Sequence, residues 1–135
     1  MSPLLSNDPV RLLRAVLAAD AVSAGAMGLL LILAPAAVLD LLGLPGWLTR
    51  SAGLALRPFA AFVGWTASRT VPPRAAVWTV VALNVAWAIE SVVTVAGFVT
   101  APPLGVAFVL VQAALVGAFA ALQLALLRRT ALRVA

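Results

Sequence analysis

Four long apolar stretches, separated by proline-containing segments, dominate the pattern of this 135-residue chain. A membrane-spanning helix needs about 20 mostly apolar residues, and each stretch approaches that length. Proline removes a backbone donor and clashes with the preceding helical turn, so Pro35, Pro45, the Pro72-Pro73 pair and the Pro102-Pro103 pair mark the connections. The pattern predicts four helices, at about residues 10–34, 49–68, 75–99 and 104–127.

The composition favours a membrane protein over a soluble one. Hydrophobic residues make up 64% of the chain and charged residues 10%, against roughly 25% charged residues in an ordinary soluble domain. The apolar stretches are continuous and rich in Ala and Leu, which favours helices over the alternating strands of a barrel. We therefore expect an all-α fold, a four-transmembrane-helix bundle that forms a single integral membrane domain over residues 1–135 of the chain and contacts the lipid bilayer.

The second stretch is the least regular of the four. Arg50 and Arg57 interrupt it, so a re-entrant or interfacial segment, which would leave three spans, is the alternative. The connection before it contains an amphipathic run over residues 36–42, which Gly43 ends. We expect this run to form a short interfacial segment after the first helix, with Trp47 at the level of the lipid headgroups.

The arginines predict the orientation in the membrane. With four spans, seven of the nine arginines fall on one side, in the N-terminal tail, the second connection and the C-terminal tail. Cytoplasmic loops carry an excess of positive charge, so both termini are expected to be cytoplasmic in a multi-pass protein of the cell inner (plasma) membrane. The seven residues are Arg11, Arg14, Arg69, Arg74, Arg128, Arg129 and Arg133.

Several side-chain types are absent from the chain, and their absence limits its chemistry. There is no Cys, His, Tyr or Lys, so zinc, iron–sulfur and His-ligated haem sites lose their usual ligands. A nucleophile paired with His is also excluded. We therefore predict no enzyme activity, no cofactor and no metal. The net charge of +5 comes from arginines at the ends of apolar stretches, so we expect no nucleic-acid partner.

Polar residues inside the predicted spans are the candidate functional residues, because ionisable groups are costly in a bilayer. Depth is counted at about 1.5 Å per residue from the nearest cytoplasmic arginine. Asp20 and Gln123 then fall in an inner layer at roughly 8 to 9 Å, and Asn84 near 15 Å. Arg57, Glu90 and Gln112 fall in an outer layer at roughly 18 to 24 Å. The full set is Asp20, Arg57, Asn84, Trp87, Glu90, Gln112 and Gln123.

A buried ion pair is the most specific structural prediction. The second and third stretches are joined by a short connection, so we expect them to be antiparallel neighbours. Arginine stays protonated in proteins and needs an acceptor or water. We predict that Arg57 pairs with Glu90 inside the bundle, with extension of Arg57 to the outer surface as the alternative. Trp87, close to Glu90 on the helix, would stack on Arg57.

Two further patterns predict close packing between helices. Small residues four positions apart let helix backbones approach each other in lipid. These pairs are Ala21 and Gly25, Ala24 and Gly28, and Ala114 and Ala118. The amide side chains within the spans are expected to form hydrogen bonds between helices; they are Asn84, Gln112 and Gln123.

Three runs in the second half of the chain carry a family resemblance. They are Pro73-Arg74-Ala75-Ala76-Val77-Trp78, the Leu83-Asn84-xx-Trp87 stretch, and Gly105 to Gln112 leading to Leu122-Gln123. With these runs the chain resembles the small four-helix integral membrane proteins of bacteria that carry no assigned activity, including those called DoxX-like. The resemblance implies a bacterial four-helix membrane fold, and it carries over no functional residue.

Three functions remain open at this point. The leading hypothesis is a non-enzymatic membrane protein that acts by helix association, as an accessory or assembly subunit or as a homo-oligomer. The second is a small proton-coupled transporter or ion pathway that uses Asp20, Arg57 and Glu90. The third is a lipid or quinone binding protein, with a groove between helices lined by Trp87 and the phenylalanines.

Overall fold

The computed structural model describes residues 8–134 as five α-helices and one π-helical segment. No strand is present in this range, which confirms the all-α prediction. When the π-helical segment is counted with the α-helix before it, each predicted boundary lies within three residues of the observed one, except at the C-terminal end of the last helix. The elements are α1 (Pro9–Leu33), α2 (Ala36–Leu42), α3 (Gly46–Ser68), α4 (Arg74–Val93), the π-helix Thr94–Phe98 and α5 (Pro103–Val134).

Three helical runs are long and apolar enough to cross a membrane. They are Pro9–Leu33, Arg74–Gly97 and Pro103–Thr130. The helix α3 has 23 residues, a sufficient length, but it is not among the three. Arg50 and Arg57 lie within α3 and lower its hydropathy. By length and composition, the chain is thus an all-α protein with three candidate membrane spans.

The short helix α2 lies where the amphipathic run predicts a helix, directly after α1. Gly43 ends it with a positive φ of 62°, a left-handed conformation that glycine adopts without strain. No residue of α2 is buried. A side chain on Gly43 would collide with Pro102, and one on Gly105 would collide with the carbonyl group of Leu42. The end of α2 is therefore packed tightly against the start of α5.

The long helices pack in the order α3, α1, α5, α4. The helix α1 lies against both α3 and α5, and α4 packs against α5. Although α3 and α4 are consecutive in the chain, they make few contacts with each other. The prediction that they are packed neighbours is therefore wrong. Their connection joins one end of each helix, but the faces of both helices pack on other partners.

Small residues hold α1 and α3 close together, as the spacing on the first stretch predicts. A Cβ atom added to Gly53 would lie 3.2 Å from the carbonyl oxygen of Gly28 and 2.8 Å from Cγ1 of Ile32. One turn further along, a Cβ on Gly25 would touch the Cβ of Ala60 at 3.8 Å. Close backbone approach increases van der Waals contact, which drives helix association in lipid.

The two ends of the bundle differ in packing. We call the end of the bundle that contains Arg14 and Ala67 the arginine end. There, the largest hydrophobic cluster contains side chains from all four long helices. Arg14 of α1 also donates a hydrogen bond from Nε to the carbonyl oxygen of Ala67 at 3.1 Å, near the end of α3. The buried members of the cluster include Leu13, Leu17, Val63, Val77, Val80 and Leu127. The side chain of Arg133 lies outside the described residues.

Towards the opposite end, which we call the α2 end, a smaller hydrophobic cluster has buried members from α1 and α3 only, although Val109 and Ala113 of α5 are also buried there. Its members are Ala24, Leu31 and Leu56, with partly buried side chains such as Trp87 and Phe108 from the other two helices packed against it. The four long helices are therefore drawn together at the arginine end, and a gap between the α1–α3 pair and the α4–α5 pair opens towards the α2 end.

Candidate functional site

Three polar side chains from three helices meet in the interior, and we call them the inner polar cluster. Asp20 of α1, Asn84 of α4 and Gln123 of α5 are 2%, 2% and 0% exposed. Nδ2 of Asn84 donates to Oδ2 of Asp20 at 2.8 Å, and Nε2 of Gln123 donates to the same oxygen at 2.7 Å. Nδ2 of Asn84 also donates to Oε1 of Gln123 at 3.1 Å. The cluster thus connects α1, α4 and α5.

A second group, the outer polar cluster, lies closer to the α2 end, by one to two turns along α4 and about three turns along α5. Nε1 of Trp87 donates to Oε1 of Gln112 at 2.9 Å, and Nε2 of Gln112 donates to Oγ of Ser91 at 2.9 Å. Oγ of Ser91 donates in turn to the carbonyl oxygen of Trp87 at 2.8 Å. These bonds connect α4 to α5, and they fix the Trp87 indole in one orientation.

A cleft runs along both polar clusters, between the α1–α3 pair and the α4–α5 pair. It consists of a cavity of about 480 Å³ at the level of the inner polar cluster and a cavity of about 310 Å³ towards the α2 end. Four residues line both cavities, Met27, Ala55, Trp87 and Gln112, so the two cavities lie next to each other along the cleft. Because α3 and α4 make few contacts, the cleft lies where these two helices separate.

The walls of the cleft are mostly apolar and rich in aromatic residues. The aromatic residues that line it are Trp47, Phe59, Phe62, Trp87, Phe108 and Phe119. Few polar groups line the cleft, and they differ between its two parts. Asp20 and Ser23 line the larger cavity, and Glu90 and Thr94 line the smaller one. This combination of an apolar wall with a few placed polar groups is typical of small-molecule sites.

The ion pair predicted between Arg57 and Glu90 inside the bundle is not present among the described residues. Both side chains are exposed, and Arg57 does not line the cleft, whereas Glu90 does. The physical reason is the packing order, because α3 lies on α1 and its Arg57 points away from the interior. Trp87 does not stack on Arg57 but bonds to Gln112.

The structure therefore brings five of the predicted residues together in two groups and leaves Arg57 and Glu90 outside both. It also adds residues that the depth count does not single out. Ser23, Phe59 and Phe62 line the larger cavity. Phe59 and Phe62 are three residues apart and follow Pro58, so a shared helix face is readable from the sequence. The direction of that face depends on which helix α3 packs against.

Comparison with protein-family models, with curated proteins and with solved structures found no match to this chain. The functional interpretation therefore depends on the geometry of the cleft and its side chains.

Proposed function

We propose that this chain is a non-enzymatic membrane protein with four spans and cytoplasmic termini, and that it holds a small apolar molecule in the cleft between α3 and α4. The observation that carries the proposal is the cleft itself. Its two cavities, of about 480 and 310 Å³, fall in or near the range of about 300 to 1,000 Å³ that is usual for ligand pockets. A largely apolar wall selects an apolar ligand.

The arrangement of α3 supports its role as the fourth span. It lies along α1 over most of its length, and the Arg14–Ala67 hydrogen bond places its C-terminal end beside the N-terminal end of α1. A helix that runs antiparallel to a spanning helix crosses the same layer. Arg57 is exposed, and a long arginine side chain can extend along the helix surface so that its charged group approaches the interface.

The same geometry gives less support to the other two hypotheses, helix association and transport, than to binding in the cleft. Helix association rests on the small-residue spacings: those on α1 pack against α3 of the same chain, and the pair on α5, Ala114 and Ala118, is exposed. A transport pathway needs access from both sides, but the hydrophobic cluster at the arginine end closes the cleft there. Among the three functions, binding within the cleft is the one that has a specific cavity to support it.

Filling the cleft tests this proposal. Ala55 lines both cavities, so Ala55→Phe places a bulky ring inside the cleft. Ala61 is also exposed on α3 but lines neither cavity, which makes Ala61→Phe a matched control. The probe is 12-bromododecan-1-ol, a neutral apolar molecule whose bromine quenches tryptophan fluorescence, added to protein in lipid nanodiscs. The protein used keeps Trp87 as its one tryptophan and carries Trp47→Phe, Trp65→Phe and Trp78→Phe.

We expect saturable quenching of Trp87 in the parent protein and in Ala61→Phe, and a loss of the saturable part in Ala55→Phe. Native mass spectrometry of the protein from its host membrane should also detect a bound small molecule that Ala55→Phe lacks. Quenching that is linear in probe concentration, or equal in both alanine variants, would contradict binding in the cleft.

A further inference from the structure

The ionisable side chains that line the cleft are all acidic. Asp20 lines the larger cavity and Glu90 the smaller one, and no arginine among the described residues lines either cavity. The chain as a whole has a net charge of +5, so the sign of the cleft is opposite to that of the protein. The positive charges lie at the ends of the helices and on the outer face of α3.

Asp20 lines the larger cavity and uses one of its two carboxyl oxygens in the inner polar cluster. Its Oδ2 accepts two of the three hydrogen bonds of the inner polar cluster, and Oδ1 accepts none from the described residues. Among those residues, no buried side-chain nitrogen or oxygen lacks a hydrogen-bond partner. Oδ1 is therefore not fully enclosed by protein, although the residue as a whole is only 2% exposed. Asp20 lines the larger cavity, so Oδ1 is the oxygen without a donor on a residue of that cavity's wall.

Glu90 continues the same wall towards the α2 end. It lies six residues after Asn84 on α4, which corresponds to about 9 Å along the helix axis. Asn84 is bonded to Asp20, so the two carboxyl groups lie at different levels of one cleft. Trp87 lies between these levels and lines both cavities. Aromatic faces attract cations, and Phe59, Phe62 and Phe119 add further rings to the larger cavity.

A carboxylate in an apolar environment is costly unless a positive charge or hydrogen-bond donors compensate it. The protein supplies Oδ2 of Asp20 with two hydrogen-bond donors. Any further compensation of the carboxylate charge must come from the molecule that occupies the cleft. We propose that the occupant is an organic cation, an apolar molecule with a positively charged amine or quaternary group, held between Asp20 and Glu90 and packed against the aromatic wall. This inference rests on the proposed function of the cleft.

Two ions of the same shape and opposite charge test the proposal. Tetraphenylphosphonium and tetraphenylborate both enter lipid, and equilibrium dialysis against protein-loaded and empty nanodiscs separates binding by the protein from partition into lipid. The variants are Glu90→Gln and Asp20→Asn, each of which removes one carboxyl group with little change in shape. Asp40→Asn is the control, because Asp40 is exposed on α2 and lines neither cavity.

We expect the parent protein to bind the phosphonium ion at least about tenfold more tightly than the borate ion. Glu90→Gln and Asp20→Asn should each weaken phosphonium binding by roughly three- to tenfold, with Asp40→Asn unchanged. The side chain of Glu90 is exposed and makes no hydrogen bond with the described residues, so Glu90→Gln remains informative even if Asp20→Asn impairs folding.

Three outcomes would overturn the inference. Equal affinity for the two ions, or affinity that Glu90→Gln and Asp20→Asn leave unchanged, would show that charge does not select the occupant. In that case saturable quenching by the neutral bromoalcohol, lost in Ala55→Phe, would leave the proposed function of the cleft intact. Failure of both ions and of the neutral probe would overturn the cleft function as well.

Discussion

At the scale of single residues, the interior depends most on the inner polar cluster. Asp20, Asn84 and Gln123 are buried, and each takes part in at least two hydrogen bonds with the other two. Replacing one partner with an apolar residue leaves the others with unpaired polar atoms. In membrane proteins the cost of such a loss is modest, since the unfolded chain in lipid also finds partners.

We predict that Gln123→Leu destabilises the protein by about 1 kcal/mol, with an upper bound of about 2 kcal/mol. The reason is the loss of the donor to Oδ2 of Asp20 and of the acceptor for Asn84. The measurement is unfolding in mixed micelles followed by tryptophan fluorescence. Leu122→Ala is the control, because Leu122 is 51% exposed and faces outward. An equal loss of stability in both variants would contradict a structural role for the cluster.

Residue counting predicts part of this site. It places Asp20 and Gln123 in one layer, and the structure brings them within hydrogen-bond distance. It places Asn84 deeper than Asp20, although the two are bonded. The error arises because the counts start from Arg14 and Arg74, which lie at different levels: Arg14 already reaches the carbonyl group of Ala67. The depth of a residue relative to residues on a second helix depends on how the two helices pack. A single sequence does not contain that information.

At the scale of helices, the positions of proline and glycine predict where helices end. The sequence does not predict which helices pack against each other. Proline positions locate the connections, and Gly43 ends α2 as expected. Short connections favour neighbouring helices, yet α3 packs on α1. The glycines explain this preference, since Gly53 of α3 fits against Gly28 of α1. The failure of the Arg57–Glu90 prediction follows from this one difference in packing.

We predict that Gly53→Ala destabilises the protein by about 1 to 3 kcal/mol, as is typical of overpacking. The new Cβ would lie 2.8 Å from Ile32 and 3.2 Å from the Gly28 carbonyl oxygen, so α1 and α3 must separate. Gly117→Ala is the matched control within α5, where a Cβ meets no atom within 4 Å. It should leave stability unchanged or raise it by up to about 1 kcal/mol, because Ala favours helix. Unfolding in mixed micelles measures both variants, and a neutral Gly53→Ala would contradict the close crossing.

At the scale of the whole molecule, the bundle is tightly packed at the arginine end. A cleft opens where α3 and α4 separate. Composition alone predicts a helical membrane protein, because 64% of the residues are hydrophobic. The cleft is not predictable in this way, since it arises from the order in which the helices pack. Both the cleft and its proposed ligand require that α3 crosses the bilayer beside α1, although α3 is less apolar than the three candidate spans.

The most direct measurement is therefore which side of the membrane each end of α3 reaches. The chain has no cysteine, so Gly46→Cys and Thr70→Cys each introduce a single thiol, at exposed positions at or just beyond the two ends of α3. A membrane-impermeant maleimide applied to intact spheroplasts should label Gly46→Cys at once and Thr70→Cys only after lysis. Labelling of both thiols from the same side would show that α3 does not span the bilayer, and it would contradict the four-span bundle and the cleft function that depends on it.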